Sequence, residues 1–286
     1  MMEPQLMFVR ATSSVPGISA IYGYESTGQP VGVHQGVPSG SLTVVISLDD
    51  PIEMADDAES WQRGRTRAHD ALVSGLHTRP AYIRQPVSER GIQLAVHPLA
   101  ARRLFGMPTA ELAQRTWEAE SVLGPDARQL RQRLHEIDSW PARLAAVEEY
   151  FTTRAGLPST VRREVTGAWS CLASAGGARS VAELADEVGV SERQLSKLMT
   201  QELGVGPKML ARLLRFDHAL GRIGAQVRAG TTPNLAEIAV RCGFYDQSHL
   251  ARDFHLFTDR APSRFVADEF RNIQAGGHQP PTGLTS

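Results

Sequence analysis

Two short polar runs hold the residues best suited to chemistry. In the run 246–257, Leu250 and Phe254 mark one face of a helix, which leaves Gln247, Ser248, His249 and Arg252 on the other. Amide, hydroxyl, imidazole and guanidinium groups spaced over one or two helical turns are donors and acceptors suited to base edges and phosphates in a DNA groove. A second run has the same build: Ser191, Glu192, Arg193, Gln194 and Lys197 lie opposite Leu195 and Leu198. Arg193 can bond a guanine bidentately and Gln194 an adenine. Lys197 and Arg252 can equally hold phosphates. Each run also has a plainer reading. Gln194 stands three residues after Ser191 and can close a capping box. Asp246 has the type and place of an N-cap more than of a base reader. His249 can be a solvent-facing helix residue.

The elements that must position these side chains follow from spacing. Leu235, Ile238 and Cys242 mark a short helix, with Asn234 and Glu237 as its expected capping box. Gly243 ends it, since glycine takes the left-handed conformation a tight turn needs. Phe244, Leu250 and Phe254 then fall in the core. This is a helix-turn-helix. It has an earlier copy: Val181-Ala182-Glu183-Leu184-Ala185 matches Leu235-Ala236-Glu237-Ile238-Ala239, 54 positions further on, and Val188-Gly189-Val190 matches Cys242-Gly243-Phe244. With one extra residue in the second turn, Ser191 aligns with Asp246 and Lys197 with Arg252. Ser180 and Glu183 supply the first copy's capping box, and Val165, Trp169 and Leu172 mark a helix supporting it. Between the copies, Pro207 begins a helix on which Met209, Leu213, Phe216, Leu220 and Ile223 form one stripe. Taken to about residue 225, it spans roughly 28 Å. That is short of the groove repeat of about 34 Å, which predicts bent DNA or one looser contact.

The stretch CGFYDQSHLARDFHLFTDRAPSRF resembles the signature of the AraC/XylS family of bacterial transcription regulators. The resemblance is carried by Cys242, Gly243 and Phe244, by Asp246 to His249, by Arg252 and Phe254, and by Pro262. Where the family usually has glycine, three residues before that proline, this chain has Asp259, which puts the turn after the second recognition helix in question. The resemblance implies a sequence-specific DNA-binding regulator, with double-stranded promoter or operator DNA as partner and RNA polymerase as a second one. It also implies an N-terminal part that senses a small effector or dimerises.

Composition bounds the rest. A chain of 286 residues is long enough for roughly two domains. No apolar run approaches about 18 residues, so no membrane span is expected, and the start lacks the build of a signal peptide. A cytoplasmic protein is expected. The net charge is −1. Residues 161–270 carry 14 Lys+Arg against 13 Asp+Glu, so DNA binding depends on where charges sit and not on their number. Cys171 and Cys242 form neither a disulfide framework nor a zinc site. His34, His69, His77 and His97 are isolated, with no HxH pair, and no nucleophile elbow, phosphate loop or HExxH motif occurs. No cofactor, no metal and no enzymatic activity are expected; a cupin-like enzyme in the N-terminal half is the minor alternative.

The expected fold is α+β: an N-terminal β-rich barrel or sandwich with trailing helices, then an all-α tandem helix-turn-helix domain. Residues 1–105 contain short alternating runs broken by Gly, Pro and Asp. From Ala100 the composition turns helical, with 100–106, 109–124, 126–137 and 140–155 as four candidate helices; residues 106–158 read as a helical subdomain and linker, with 155–160 as the linker. Residues 159–270 are the expected DNA-binding domain and 271–286 a disordered tail. The β-rich part has no motif naming a ligand. It can bind a small effector, pair as a homodimer or dock a partner protein.

Overall fold

The computed structural model describes residues 5–156 and 160–275. Its N-terminal part holds ten strands: β1 (Gln5–Ala11), β2 (Ile18–Thr27), β3 (Gly32–Gly36), β4 (Leu42–Ser47), β5 (Ile52–Ala55), β6 (Arg67–His69), β7 (Ala71–Ser74), β8 (Ala81–Gln85), β9 (Glu89–Val96) and β10 (Thr116–Glu118). They form two antiparallel sheets, β1-β2-β9-β4-β7-β10 and β3-β8-β5-β6. Alternation decides which side each residue serves. Ile21, Val44, Val73 and Leu94 are buried in the core on the outer face of the larger sheet, under helices. Tyr22, Thr43, Ser74 and Gln93 point between the sheets.

Five helices belong to this half: α1 (Ala58–Gln62), α2 (Ala101–Phe105), α3 (Ala119–Leu123), α4 (Asp126–Glu136) and α5 (Trp140–Arg154). The helix expected over 109–124 forms only at its end, as α3 (Ala119–Leu123). A 3-10 turn covers Thr109–Glu111, Gln114 adopts a left-handed φ of 61°, and Thr116, Trp117 and Glu118 pair with Ser74, Val73 and Leu72 as an edge strand. Helix-favouring Ala and Glu are outvoted by a β-branched and an aromatic residue that complete a sheet. The β-rich part therefore extends past residue 105.

Seven helices follow: α6 (Arg163–Ser174), α7 (Val181–Glu187), α8 (Glu192–Leu203), α9 (Pro207–Arg228), α10 (Leu235–Arg241), α11 (Gln247–Thr258) and α12 (Pro262–Ala275). The linking helix α9 has 22 residues, roughly 33 Å. The expected shortfall against the groove repeat, and the case for bent DNA built on it, therefore disappears. Helix α12 continues to Ala275, past the expected start of the tail; 276–286 lie outside the described residues, as do 157–159 of the expected linker.

Two apolar clusters hold the molecule together. One runs from the larger sheet through α2–α5 into α6, α7, α8 and Leu210 and Leu214 of α9. The other gathers Leu213, Phe216, Leu220 and Ile223 of α9 with Ile238, Leu250, Phe254, Phe257 and Phe265. The first helix-turn-helix thus shares a core with the β-rich half, while the second is built around the linker.

Candidate nucleic-acid interface

The first unit starts at a complete capping box. Ser180 Oγ accepts the Glu183 N–H at 3.2 Å, and the Glu183 carboxylate accepts the Ser180 N–H at 2.8 Å. The Ser180 N–H, and then the Ser180 hydroxyl at 2.8 Å, donate to the Glu183 carboxylate and hold it below its usual range. The turn passes through Gly189 at φ 71°, a region open to glycine. Ser191 then caps α8 by accepting the Gln194 N–H at 3.2 Å. Leu195, Leu198, Met199 and Leu203 are buried. Ser191, Glu192, Arg193, Gln194 and Lys197 are all exposed. The Ser191 cap is one-sided: the Gln194 amide makes no return bond, which leaves it to the exposed face.

The second unit repeats the plan. Asn234 Oδ1 accepts the Glu237 N–H at 3.1 Å, but the reciprocal half of the expected box is replaced. The Asn234 N–H donates to Gln226 Oε1 of the linker helix at 2.9 Å, and Glu237 pairs with Arg241 at 2.8 Å. Gly243 makes the turn at φ 75°. Asp246 caps α11, accepting the His249 N–H at 2.7 Å. Leu250, Phe254 and Phe257 are buried, the last two against Phe216 at ring distances of 4.9 and 5.0 Å. Asp246, Gln247, Ser248 and Arg252 are exposed. His249 is only half exposed: its ring stands edge-on to Phe244 at 5.3 Å, and Nδ1 accepts the Tyr245 N–H at 3.4 Å. It braces the turn, so its reach towards a groove is reduced. Arg252 Nε donates to the Ser248 carbonyl at 3.3 Å, laying part of the guanidinium along its own helix.

The duplication goes further than the sequence reading took it. Helices α7 and α10 each have 7 residues, and α8 and α11 each have 12. Both second helices end in a left-handed residue, Gly204 (φ 76°) and Asp259 (φ 52°), and both are followed by a helix beginning with proline, Pro207 and Pro262. Asp259 thus keeps the turn that the family's glycine would make. Two large apolar residues of this unit are exposed without a sequence signal that marks them: Val240 of α10 and Tyr245, 90% exposed immediately before the Asp246 cap.

Separate polar contacts tie each unit to the β-rich half. Arg102 of α2 grips Glu202 of α8 bidentately at 2.7 and 2.9 Å. The Tyr82 hydroxyl of β8 donates to Asp259 at 2.6 Å. Between them, the Gly40 N–H donates to Asp217 of α9 at 2.7 Å.

A family model described as a helix-turn-helix domain matches residues 184–268. Uncharacterized HTH-type transcriptional regulators of Staphylococcus aureus strains MSSA476 and N315 are each 34% identical over 89 residues. Those residues are 31% of this chain and 11% of each relative, so the chain spans only a small part of the length of the curated proteins it matches. Residues 184–268 are an AraC-type helix-turn-helix domain. The AraC-type domain contains the second helix of each unit, α8 and α11. Over 86% of its length the chain shares its fold with an apo variant of ToxT from Vibrio cholerae, at a TM-score of 0.53 and 11% identity over 97% of that protein.

Proposed function

We propose that the chain is a sequence-specific DNA-binding regulator of transcription whose helices α8 and α11 enter successive major grooves of one duplex. One observation carries the reading: the second helices of the duplicated units bury Leu195, Leu198, Leu250 and Phe254 and leave matched polar faces in solvent. Arg193, Gln194, Gln247 and Ser248 read bases, with Glu192 placed to accept from a cytosine amine. Lys197 and Arg252 hold phosphates. Ser191 and Asp246 act as caps that orient the first turn, and His249 supports that turn. The linker's roughly 33 Å suits grooves about 34 Å apart.

The β-rich half is the controlling part in this reading. Its inter-sheet cavity, of about 900 Å³, is lined by Asp217 and Leu220 of α9 and by Ala267 and Phe270 of α12 as well as by strands. A small effector there touches the helices that carry the second reading unit, which supports control by ligand over control by a partner protein or a homodimer. RNA polymerase is the second macromolecular partner of such a regulator.

Genome-wide binding of the tagged chain tests the reading. The expected result is a two-part sequence with half-sites about one helical turn apart, retarded by the purified protein in a gel. Enrichment of no common sequence, or of a single undivided site insensitive to changes in α8, would reject it.

A further inference from the structure

The cavity between the sheets is lined by both of them. On the larger sheet, Tyr22 stands opposite Gln93, Ser26 opposite Glu89, and Thr43 opposite Ser74, and all six line the cavity. Leu6, Phe8, Val45, Leu72 and Ala95 of the same face line it too, so polar pairs are set among apolar residues, and the sheet's other face is the hydrophobic core. The facing sheet adds Val33, Ile52, Met54 and Ile83 along with the polar His34, Arg84 and Gln85.

Several polar groups of this lining are short of partners. Ser26 and Ser41 are 2% and 4% exposed, and neither Oγ has a hydrogen-bond partner among the described residues. Tyr22 Oη and His77 Nε2 are in the same position. An unpartnered polar group in the interior is destabilising, so four along one cavity form an array suited to a hydrogen-bonding guest.

The charges point to an uncharged guest. Each arginine that lines the cavity has a carboxylate partner, Arg84 with Glu53 and Arg260 and Arg264 sharing Asp268, while Glu269 pairs with His34 at 3.8 Å. The chain's two lysines, Lys197 and Lys208, lie elsewhere. Burial lowers the His77 imidazole's affinity for a proton. Burial pushes the carboxyls of Glu89 and Asp217 up to about 7, helped at Glu89 by Asp49 and opposed at Asp217 by the Gly40 N–H. Below neutrality the wall is therefore largely neutral.

We propose that this cavity binds an uncharged organic ligand that carries hydroxyl or amide groups beside apolar surface, and discriminates against carboxylates. The proposal rests on the effector reading of the β-rich half and names the ligand class of that site.

The test uses the full chain near pH 6 and three probes on one skeleton: 4-phenylbutyramide, 4-phenylbutyrate and 4-phenylbutylammonium, followed by ligand-observed NMR. The amide is expected to bind about tenfold more tightly than either charged probe. Ser26→Ala and Ser41→Ala remove hydroxyls that have no protein partner, so the fold should keep its melting temperature. One or both should weaken amide binding about threefold to tenfold. Equal or tighter binding of the carboxylate or the ammonium overturns the ligand class but leaves a ligand-binding cavity. Amide binding unmoved by both serine variants overturns the assigned wall. If none of the three probes binds while the protein still retards its DNA, the proposal falls together with the effector reading, and the DNA-binding reading stands.

Discussion

Arg212 of the linker helix and Asp253 of the second recognition helix form an ion pair, Nη2 to Oδ1 at 2.7 Å, with the aspartate side chain 2% exposed. Arg212 also lies over the Phe257 ring at 5.7 Å. The pair faces away from the exposed residues of α11, so it orients the reading face without forming part of it. Removing one member of a buried pair leaves the other uncompensated. Arg212 is partly exposed, which softens that penalty. Asp253→Ala is expected to cost about 2–3 kcal/mol in urea unfolding and to weaken contacts at the second half-site more than at the first. Equal loss of footprint at both half-sites would count against this orienting role.

The polar face of α8 allows two effects to be separated. Gln194 has no return bond to Ser191, so its amide is available to a base. Gln194→Ala should change discrimination at one base pair by about 1–3 kcal/mol. Lys197→Ala should weaken all sequences alike and lower the salt slope by about one. Binding titrations over several salt concentrations, on parent and point-changed operators, distinguish the two. A Lys197 variant with the parent's salt slope would remove its phosphate role.

The C-terminal half was legible because its local signals agree. The caps Ser180, Ser191, Asn234 and Asp246, the turns at Gly189 and Gly243, and the apolar periods all specify the same helices, and the second copy checks the first. The stretch 109–124 was misread because its composition favours helix while its fate is set by β7, some 40 residues earlier in the chain. The role of His249 was unreadable for a similar reason, since Phe244 and the Tyr245 N–H decide it. The cavity could not be read from any one segment. Its walls come from alternate residues of distant strands, together with α9 and α12.

Asp217 makes stability depend on pH. Burial raises its carboxyl to about 7, against the pull of the Gly40 N–H. The folded state therefore keeps a proton that the unfolded chain loses near pH 4, at about the ordinary aspartate value. Its stabilising contribution is complete below about pH 4 and is lost as pH rises towards about 7. Glu89, also raised to about 7 by burial and by Asp49, acts in the same direction. Asp217→Asn keeps an acceptor for Gly40 and cannot ionise. The variant should match the parent near pH 4 and exceed it by about 2–4 kcal/mol near pH 8. Parallel stability curves for parent and variant across that range would rule out Asp217 as the source.

The contact between Tyr82 and Asp259 bears on how the β-rich half holds the second reading unit. Asp259 takes a left-handed φ of 52° at the end of α11, where its repeat mate is Gly204. A side chain in that conformation costs about 1 kcal/mol or somewhat more. The cost is offset by the Tyr82 hydroxyl, which donates to the carboxylate at 2.6 Å. Asp259→Gly relieves the backbone and loses the bond, so its net effect should lie within about 1 kcal/mol. Tyr82→Phe loses the bond alone and should cost about 0.5–1 kcal/mol, the contact being exposed. In the Asp259→Gly background it should cost nothing more, and the double-mutant cycle gives the coupling. The Tyr82 hydroxyl offers an independent reading: burial, then Asp259, pushes it up to about 12, and Asp259→Gly should bring its ultraviolet titration to lower pH. Both single variants release the end of α11 from β8, so they should change operator affinity in the same direction. Additive stability effects, with an unmoved tyrosine titration, would mean that the two halves are not joined at this point.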